Sequence, residues 1–260
     1  MRGIGALQPG QWPLLQHAAE HPVRRRVKML ARIWKGLAYT VGAIVLVGLL
    51  VQGWYLGWVL YWNAYNPRAT AFMERRLDEL RAKQPNAALK HQWADYGRIS
   101  THLKRAVVAA EDAKFLDHEG FDWEGIQRAL EKNQKRGKPV AGGSTISQQL
   151  AKNLFLSGDR SFVRKGQEAV ITLMLETVMS KRRILEVYLN VAEWGEGVFG
   201  AEAAARHYFG ASAANLSPAQ SARLAAMLPR PRFYDRNRGS QYLATYSERI
   251  LARMPSAQVP

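Results

Sequence analysis

Read for polarity alone, the chain opens with one long apolar run and then changes character. No charged side chain occurs from Leu37 to Leu60, and about two dozen residues rising roughly 1.5 Å each as a helix clear a hydrocarbon core. Beyond Asn66 the apolar positions fall into shorter stripes at helical spacing. Leu103, Val107 and Glu111 recur one turn apart, as do Ile146 and Leu150, while Ile171, Met174, Leu175 and Val178 mark a further stripe. Ala71 to Lys83 reads as a polar helix. Ser217-Pro218-Ala219-Gln220 joins an N-cap Ser, a Pro at the first helical position and a Gln three residues on, so a helix starts there, and Leu228-Pro229 ends it. Phe209-Gly210 supplies a left-handed cap. Strict alternation of apolar and polar residues is scarce, which predicts a mainly α domain. Gly137-Lys138-Pro139 and Gly142-Gly143 punctuate a basic, mobile loop, set at Lys132 to Gly143, between two helices.

The flanks of the apolar run give it a direction. Arg24, Arg25, Arg26, Lys28, Arg32 and Lys35 precede it, and Trp54, Tyr55, Trp58, Tyr61 and Trp62 gather at its far end. Basic residues beside a span stay in the cytoplasm, and amphipathic rings prefer the headgroup layer. The run ends in bulky residues rather than a small-x-small cleavage site, so a retained anchor is expected. Residues 1–36 are then a basic cytoplasmic segment, 37–60 a transmembrane helix, and 66–260 one folded domain on the far side, of a size for a single core.

Charge narrows the partners. The chain has 37 Lys and Arg against 21 Asp and Glu, a net charge of +16, and the domain keeps a basic excess after the N-terminal cluster is set aside. An anionic partner follows: nucleic acid, lipid headgroups or a phosphorylated substrate. The chain has no cysteine, so neither a disulfide framework nor a thiolate zinc site is available.

Three polar features stand on helix faces. Glu111 continues the apolar stripe of Leu103 and Val107, so its carboxylate leaves on the side of the core or a cleft, where burial raises a carboxylate towards use as a general base; a structural ion pair at a helix end is the plainer alternative. Gly142-Gly143-Ser144-Thr145 leads into a helix on which Ser144, Gln148 and Lys152 share a face, either an anion site or a Gly turn closed by a Thr145 to Gln148 capping box. Arg160, Arg164 and Glu168 share another face, with Lys165 beside them, suited to a phosphate or to a solvated salt-bridge face. His118 and His207 read as structural.

The order and intervals of these features resemble the peptidoglycan glycosyltransferases. The matching stretches are Glu111-Asp112-Ala113-Lys114-Phe115 with His118 and Gly120, Gly143-Ser144-Thr145-Ile146-Ser147-Gln148-Gln149-Leu150-Ala151-Lys152-Asn153, Arg164-Lys165-Gly166-Gln167-Glu168, Ile184-Leu185-Glu186-Val187-Tyr188-Leu189-Asn190, and Gly197 through Gly210. The likeness covers about Ile99 to Pro231. Ser147 departs from the Thr of many relatives and keeps the hydroxyl.

That resemblance implies a lysozyme-like α-helical glycosyltransferase domain behind one N-terminal transmembrane helix, in the bacterial inner membrane with the catalytic domain periplasmic. It implies polymerisation of lipid II into glycan strands with inversion to a β-1,4 linkage and release of undecaprenyl pyrophosphate. Glu111 is then the general base and Glu168 the second motif carboxylate. Lys152, Arg160, Arg164 and Lys165 neutralise the leaving pyrophosphate. Ser144, Thr145, Gln148 and Asn153 line the donor cleft, and Phe115 joins the substrate-binding set. No cofactor is required, although a divalent cation, Mg or Mn, can assist pyrophosphate departure in related enzymes. The partners implied are lipid II, the growing lipid-linked glycan, the membrane, and cell-division or elongation proteins, with no nucleic acid. A glycosidase expels a sugar alkoxide and wants a carboxylic acid as proton donor, so a cationic cleft serves it poorly. A non-enzymatic envelope anchor needs no base at Glu111. Ser-x-x-Lys and Lys-Thr-Gly do not occur in the chain, so peptide cross-linking is left to another protein.

Overall fold

The computed structural model describes residues 12–138, 142–156 and 161–260, with side chains from Arg26 onward. The chain divides into two compact units at Tyr55 and Leu56. Helix α1, Trp12–Ala64, extends well past both ends of the expected span, because the basic residues before Leu37 are themselves good helix formers. Its stretch Arg26–Ala64 is the one helix among the described residues long and apolar enough to cross a membrane. Ile44, Leu49 and Leu50 are about two-thirds exposed, apolar surface that water would not stabilise but lipid would. Thr40 satisfies its hydroxyl inside the helix by donating to the Gly36 carbonyl at 3.0 Å.

In the second unit the last turns of α1 sink into the domain. Val59 and Trp62 are buried, and the Trp62 ring lies 5.0 Å from that of Phe155. A helix end leaves carbonyls without partners, and no basic residue stands in the last turn of α1. Arg183 supplies the donors from elsewhere: Nε and Nη2 reach the Trp62 carbonyl at 3.0 and 2.8 Å, and Nη2 the Tyr65 carbonyl at 2.8 Å.

The remaining helices follow the predicted stripes. They are α2 (Ala71–Arg81), α3 (Thr101–Glu111), α4 (Trp123–Arg136), α5 (Ile146–Phe155), α6 (Phe162–Val178), α7 (Lys181–Val191), α8 (Ala201–Phe209), α9 (Pro218–Met227), α10 (Pro231–Arg236) and α11 (Gln241–Arg253). Leu103, Val107, Ile146, Leu150, Ile171 and Leu175 are all buried, whereas Met174 and Val178 are half-buried. Ser217 and Gln220 close the expected capping box on α9, and Gly210 ends α8 at φ +63°. One expectation is corrected: Lys132 to Arg136 belong to α4 rather than to a loop, and the helix stops at Gly137, whose φ of +61° a side chain would resist. The rest of that predicted loop is only partly within the described residues.

A small sheet escapes periodicity altogether. Strands β1 (Lys90–His91), β2 (Glu193–Gly195) and β3 (Val198–Phe199) lie in the order β1-β3-β2, parallel at Lys90 to Val198 and antiparallel, with a bulge, at Glu193 to Phe199. Two or three residues cannot display an alternation, and β2 and β3 are wholly buried. Around this sheet α3 packs on α9 and α11, and α5 packs between α6 and α7. Asp112, just past α3, fastens the two groups, accepting from the Ile146 amide at 3.0 Å and from His118 Nε2 at 2.9 Å.

Candidate active site

Glu111, at the end of α3, is hydrogen-bonded to Gln149 of α5, and Gln149 with Lys152, Asn153, Tyr188, Glu193 and Arg230 lines a cleft of about 700 Å³. Glu111 is the last residue of α3, where the helix presents its negative end and disfavours a carboxylate charge. Burial raises the Glu111 carboxyl above its ordinary range, against the pull of Gln149 and Lys152, while Asp112 raises it further. Gln149 Nε2 donates to Glu111 Oε2 at 2.7 Å. Tyr188 in turn donates from its hydroxyl to Gln149 Oε1 at 2.9 Å. Burial, with the charges of Glu111 and Asp112, pushes the Tyr188 phenol well up, so it stays protonated and able to donate in that bond.

One turn along α5 from Gln149, on the same face, stands Lys152. Burial lowers its ammonium; Glu168 and Glu111 pull it back up, and Arg164 and Lys165 oppose them. Lys152 is therefore within electrostatic reach of both carboxylates. Glu168 is buried on α6 and accepts from Arg164 Nη1 at 3.3 Å and from Lys165 Nζ. The arrangement can take a proton at Glu111 and steady negative charge at Lys152, with a further cationic face on α6.

Not every predicted residue converges there. Thr145 and Gln148 are buried and form the reciprocal cap of α5, with Thr145 Oγ1 also donating to the Gly120 carbonyl at 2.7 Å. The capping-box alternative describes them. Ser144 is exposed ahead of the cap and is not on the helix. Asn153 is buried in the cleft wall. Phe115 has no exposed surface; Lys181 Nζ sits 4.7 Å from its ring centre, so in this conformation it is core rather than lining. Arg160 lies outside the described residues, and α6 begins only at Phe162. Gln149 and Tyr188 fall within the matched stretches but carried no role there, although Gln149 sits one turn from Lys152. Arg76 of α2, and Arg230, Arg232 and Arg236 around α10, also line the cleft; charge was the only signal of all four, with Arg230 and Arg232 also beside Pro229 and Pro231.

A helical domain with an apolar N-terminal helix, in which a carboxylate raised by burial is bonded to the wall of a cleft lined by Lys152 and several arginines, suits an enzyme that handles a negatively charged substrate. The chain belongs to the transglycosylase family, whose model matches residues 77–255, and its activity is that of a peptidoglycan glycosyltransferase. It is similar to proteins named biosynthetic peptidoglycan transglycosylase: 67% identical to that of Dechloromonas aromatica (strain RCB) over 83% of this chain and 94% of the relative. The corresponding figures are 60% identity over 88% and 98% for Azoarcus sp. (strain BH72), and 62% over 84% and 95% for Aromatoleum aromaticum (strain DSM 19018 / LMG 30748 / EbN1).

Proposed function

We propose that the chain polymerises lipid II into β-1,4-linked glycan strands with inversion, releasing undecaprenyl pyrophosphate. The observation that supports this reading is the pairing of Glu111, raised by burial and fixed by Gln149, with Lys152 one turn away on the same face of α5. The Glu111 carboxylate takes the proton of the acceptor's 4-hydroxyl. The freed oxygen forms a bond to C1 of the donor sugar from the face opposite the pyrophosphate. The C1–O bond breaks, and its electron pair leaves with the pyrophosphate, whose growing charge meets Lys152 and then Arg164 and Lys165. Such a leaving group needs charge neutralisation more than a proton, and preorganised cations provide it at little cost in reorganisation. Arg160 belongs to the same proposal by its motif position, as do Ser144, Thr145, Gln148 and Asn153 on the donor side. Glu168 holds Arg164 and Lys165 in place.

No cofactor is required on this reading; a divalent cation, Mg or Mn, would arrive with the pyrophosphate, and such an ion needs only one or two carboxylates from the protein. With α1 as anchor, residues 1–36 are cytoplasmic, 37–60 span the inner membrane, and 66–260 work in the periplasm on a substrate whose tail stays in the bilayer. The enzyme forms no peptide cross-links, and cell-division or elongation proteins are its partners. The test is purified full-length protein with lipid II in proteoliposomes: wild type elongates glycan, and folded Glu111→Gln does not. Polymerisation by the variant at the wild-type rate, or digestion of finished glycan by wild type, overturns the reading.

A further inference from the structure

Beside the catalytic cleft lies a second hollow of about 400 Å³ between α10 and α11, lined by Phe233, Tyr234, Tyr242 and Tyr246, with Arg230 and Ser240 also on its wall. The tyrosines form a staircase: Tyr234 and Tyr242 are parallel within 5° at 6.5 Å between ring centres, and Tyr242 and Tyr246 are tilted by 30° at 5.9 Å. Tyr242 is 63% exposed and Phe233 42%. Large flat rings left in water around a concavity need a reason.

Two observations tie this hollow to the chemistry. Pro229, Arg230 and Phe233 line both it and the catalytic cleft, so the two are continuous across one ridge. Arg230 lies over the Phe233 ring, 4.3 Å from its centre, which keeps a guanidinium on that ridge. Tyr246 also feels the charge of Glu111, which, after burial, pushes its phenol up.

We propose that the aromatic hollow is a glycan subsite, binding pyranose rings of the β-1,4-linked N-acetylhexosamine strand next to the reacting pair. A pyranose offers one flat C–H face and a rim of hydroxyls. The flat face stacks on a ring such as Tyr242, and the rim finds donors and acceptors in the phenols, the Ser240 hydroxyl and the Arg230 guanidinium. A lipid tail would cover the same rings yet strip those polar groups of water without replacing its hydrogen bonds, which costs free energy. The mixture of flat apolar faces and polar edges thus favours sugar. This inference rests on the reading that the enzyme extends a glycan, since a strand held beyond the reacting pair stays for the next addition.

The test uses the full-length protein, with folding checked by its melting transition, and the exposed residue Tyr242 in two variants. Binding of a peptide-free β-1,4-linked N-acetylglucosamine hexamer is titrated, and strand length is read from lipid II polymerisation. Tyr242→Ala is expected to weaken hexamer binding by about two- to tenfold, the worth of one aromatic stack, and to shorten the strands. Tyr242→Phe keeps the ring and is expected to bind within about twofold of wild type. Equal hexamer affinity in wild type and Tyr242→Ala overturns the proposal, as does occupation of the hollow by undecaprenyl phosphate but not by the hexamer. If wild type makes no polymer at all, the lipid II reading fails, while the hexamer titration still decides the subsite.

Discussion

The side-chain amide of Gln149 donates to Glu111 Oε2 at 2.7 Å, and its orientation is set from behind by Tyr188, whose hydroxyl donates to the Gln149 carbonyl at 2.9 Å. An amide can turn and offer either its NH2 or its oxygen. The ionised carboxylate can only accept, so it draws the NH2 towards Glu111, and the Tyr188 hydroxyl, which can donate or accept, locks that orientation by donating to the amide oxygen. The donation from Gln149 favours the ionised base, so Tyr188 acts on Glu111 through Gln149. Tyr188→Phe keeps the ring in its buried place and frees the amide. The expected result is a fall in kcat of about tenfold, the worth of a hydrogen bond to a charged group, with KM nearly unchanged and the acid limb of the pH–rate profile displaced to higher pH. A profile superimposable on that of wild type would remove Tyr188 from the mechanism.

Glu111 itself links activity, pH and stability with one sign. Burial raises its carboxyl in the folded chain, so the fold binds a proton in a pH window where the unfolded chain has released it. Stability contributed there declines as pH rises through that window, and at neutral pH the ionised group is a net cost to folding. General-base activity runs the opposite way, disappearing as pH falls through the same raised value, above the usual glutamate range. Glu111→Gln is therefore expected to lose about 10²–10⁴ in rate and yet melt a few degrees higher than wild type at neutral pH, with the difference shrinking in acid. Calorimetry across pH checks this, and a variant less stable than wild type at neutral pH would contradict the burial argument.

The fold was legible where residues repeat and obscure where they meet across the chain. The stripes through Leu103 and Val107, Ile146 and Leu150, and Ile171 and Leu175 predicted their helices because burial on one face imposes the period. The short strands showed nothing, since Glu193 to Gly195 are buried on all sides and too few to alternate. At the site, Glu111 was marked by an acidic residue on an apolar stripe. Four-residue spacing misled at Ser144, because the helix begins only after the Thr145 cap. Tyr188 stands close to forty residues from Gln149, a separation for which local pattern has no signal. Arg183, likewise, meets α1 more than a hundred residues away.

The wall of the same cleft holds a buried ion pair. Arg76 Nε lies 2.8 Å from Glu193 Oε1, and Arg76 Nη2 donates to Oε2 at 3.0 Å, with side chains only 7% and 5% exposed. Burial raises the Glu193 carboxyl, and the Arg76 charge is the chief influence pulling it back down. Removing one partner of such a pair costs more than the pair contributes, because it strands a buried charge. Arg76→Met is expected to destabilise the domain by about 3 kcal/mol, towards the lower end for a broken buried pair, because Glu193, already raised by burial, can take up a proton rather than stay charged without its partner. Urea unfolding of the two proteins measures the difference. An unchanged midpoint would show the pair to be dispensable.

Arg183 offers the last prediction, at the point where α1 enters the second unit. Its guanidinium reaches the Trp62 carbonyl through two nitrogens and the Tyr65 carbonyl through one of them, while Nη1 holds Glu186 at 2.7 Å. The ring of Trp93 lies 5.5 Å from the same group. A planar fork can serve the carbonyls and the carboxylate at once; an ammonium is a point and cannot. Arg183→Met is expected to cost about 1.5–3 kcal/mol, the range for hydrogen bonds to a charged group, and Arg183→Lys to recover less than half of that. The loss should concentrate at the end of α1, where faster amide exchange around Trp62 would report a frayed last turn. Equal exchange there in wild type and Arg183→Met would mean that Trp62 and Phe155, tilted by 41° with ring centres 5.0 Å apart, hold the end of α1 without help from the cap.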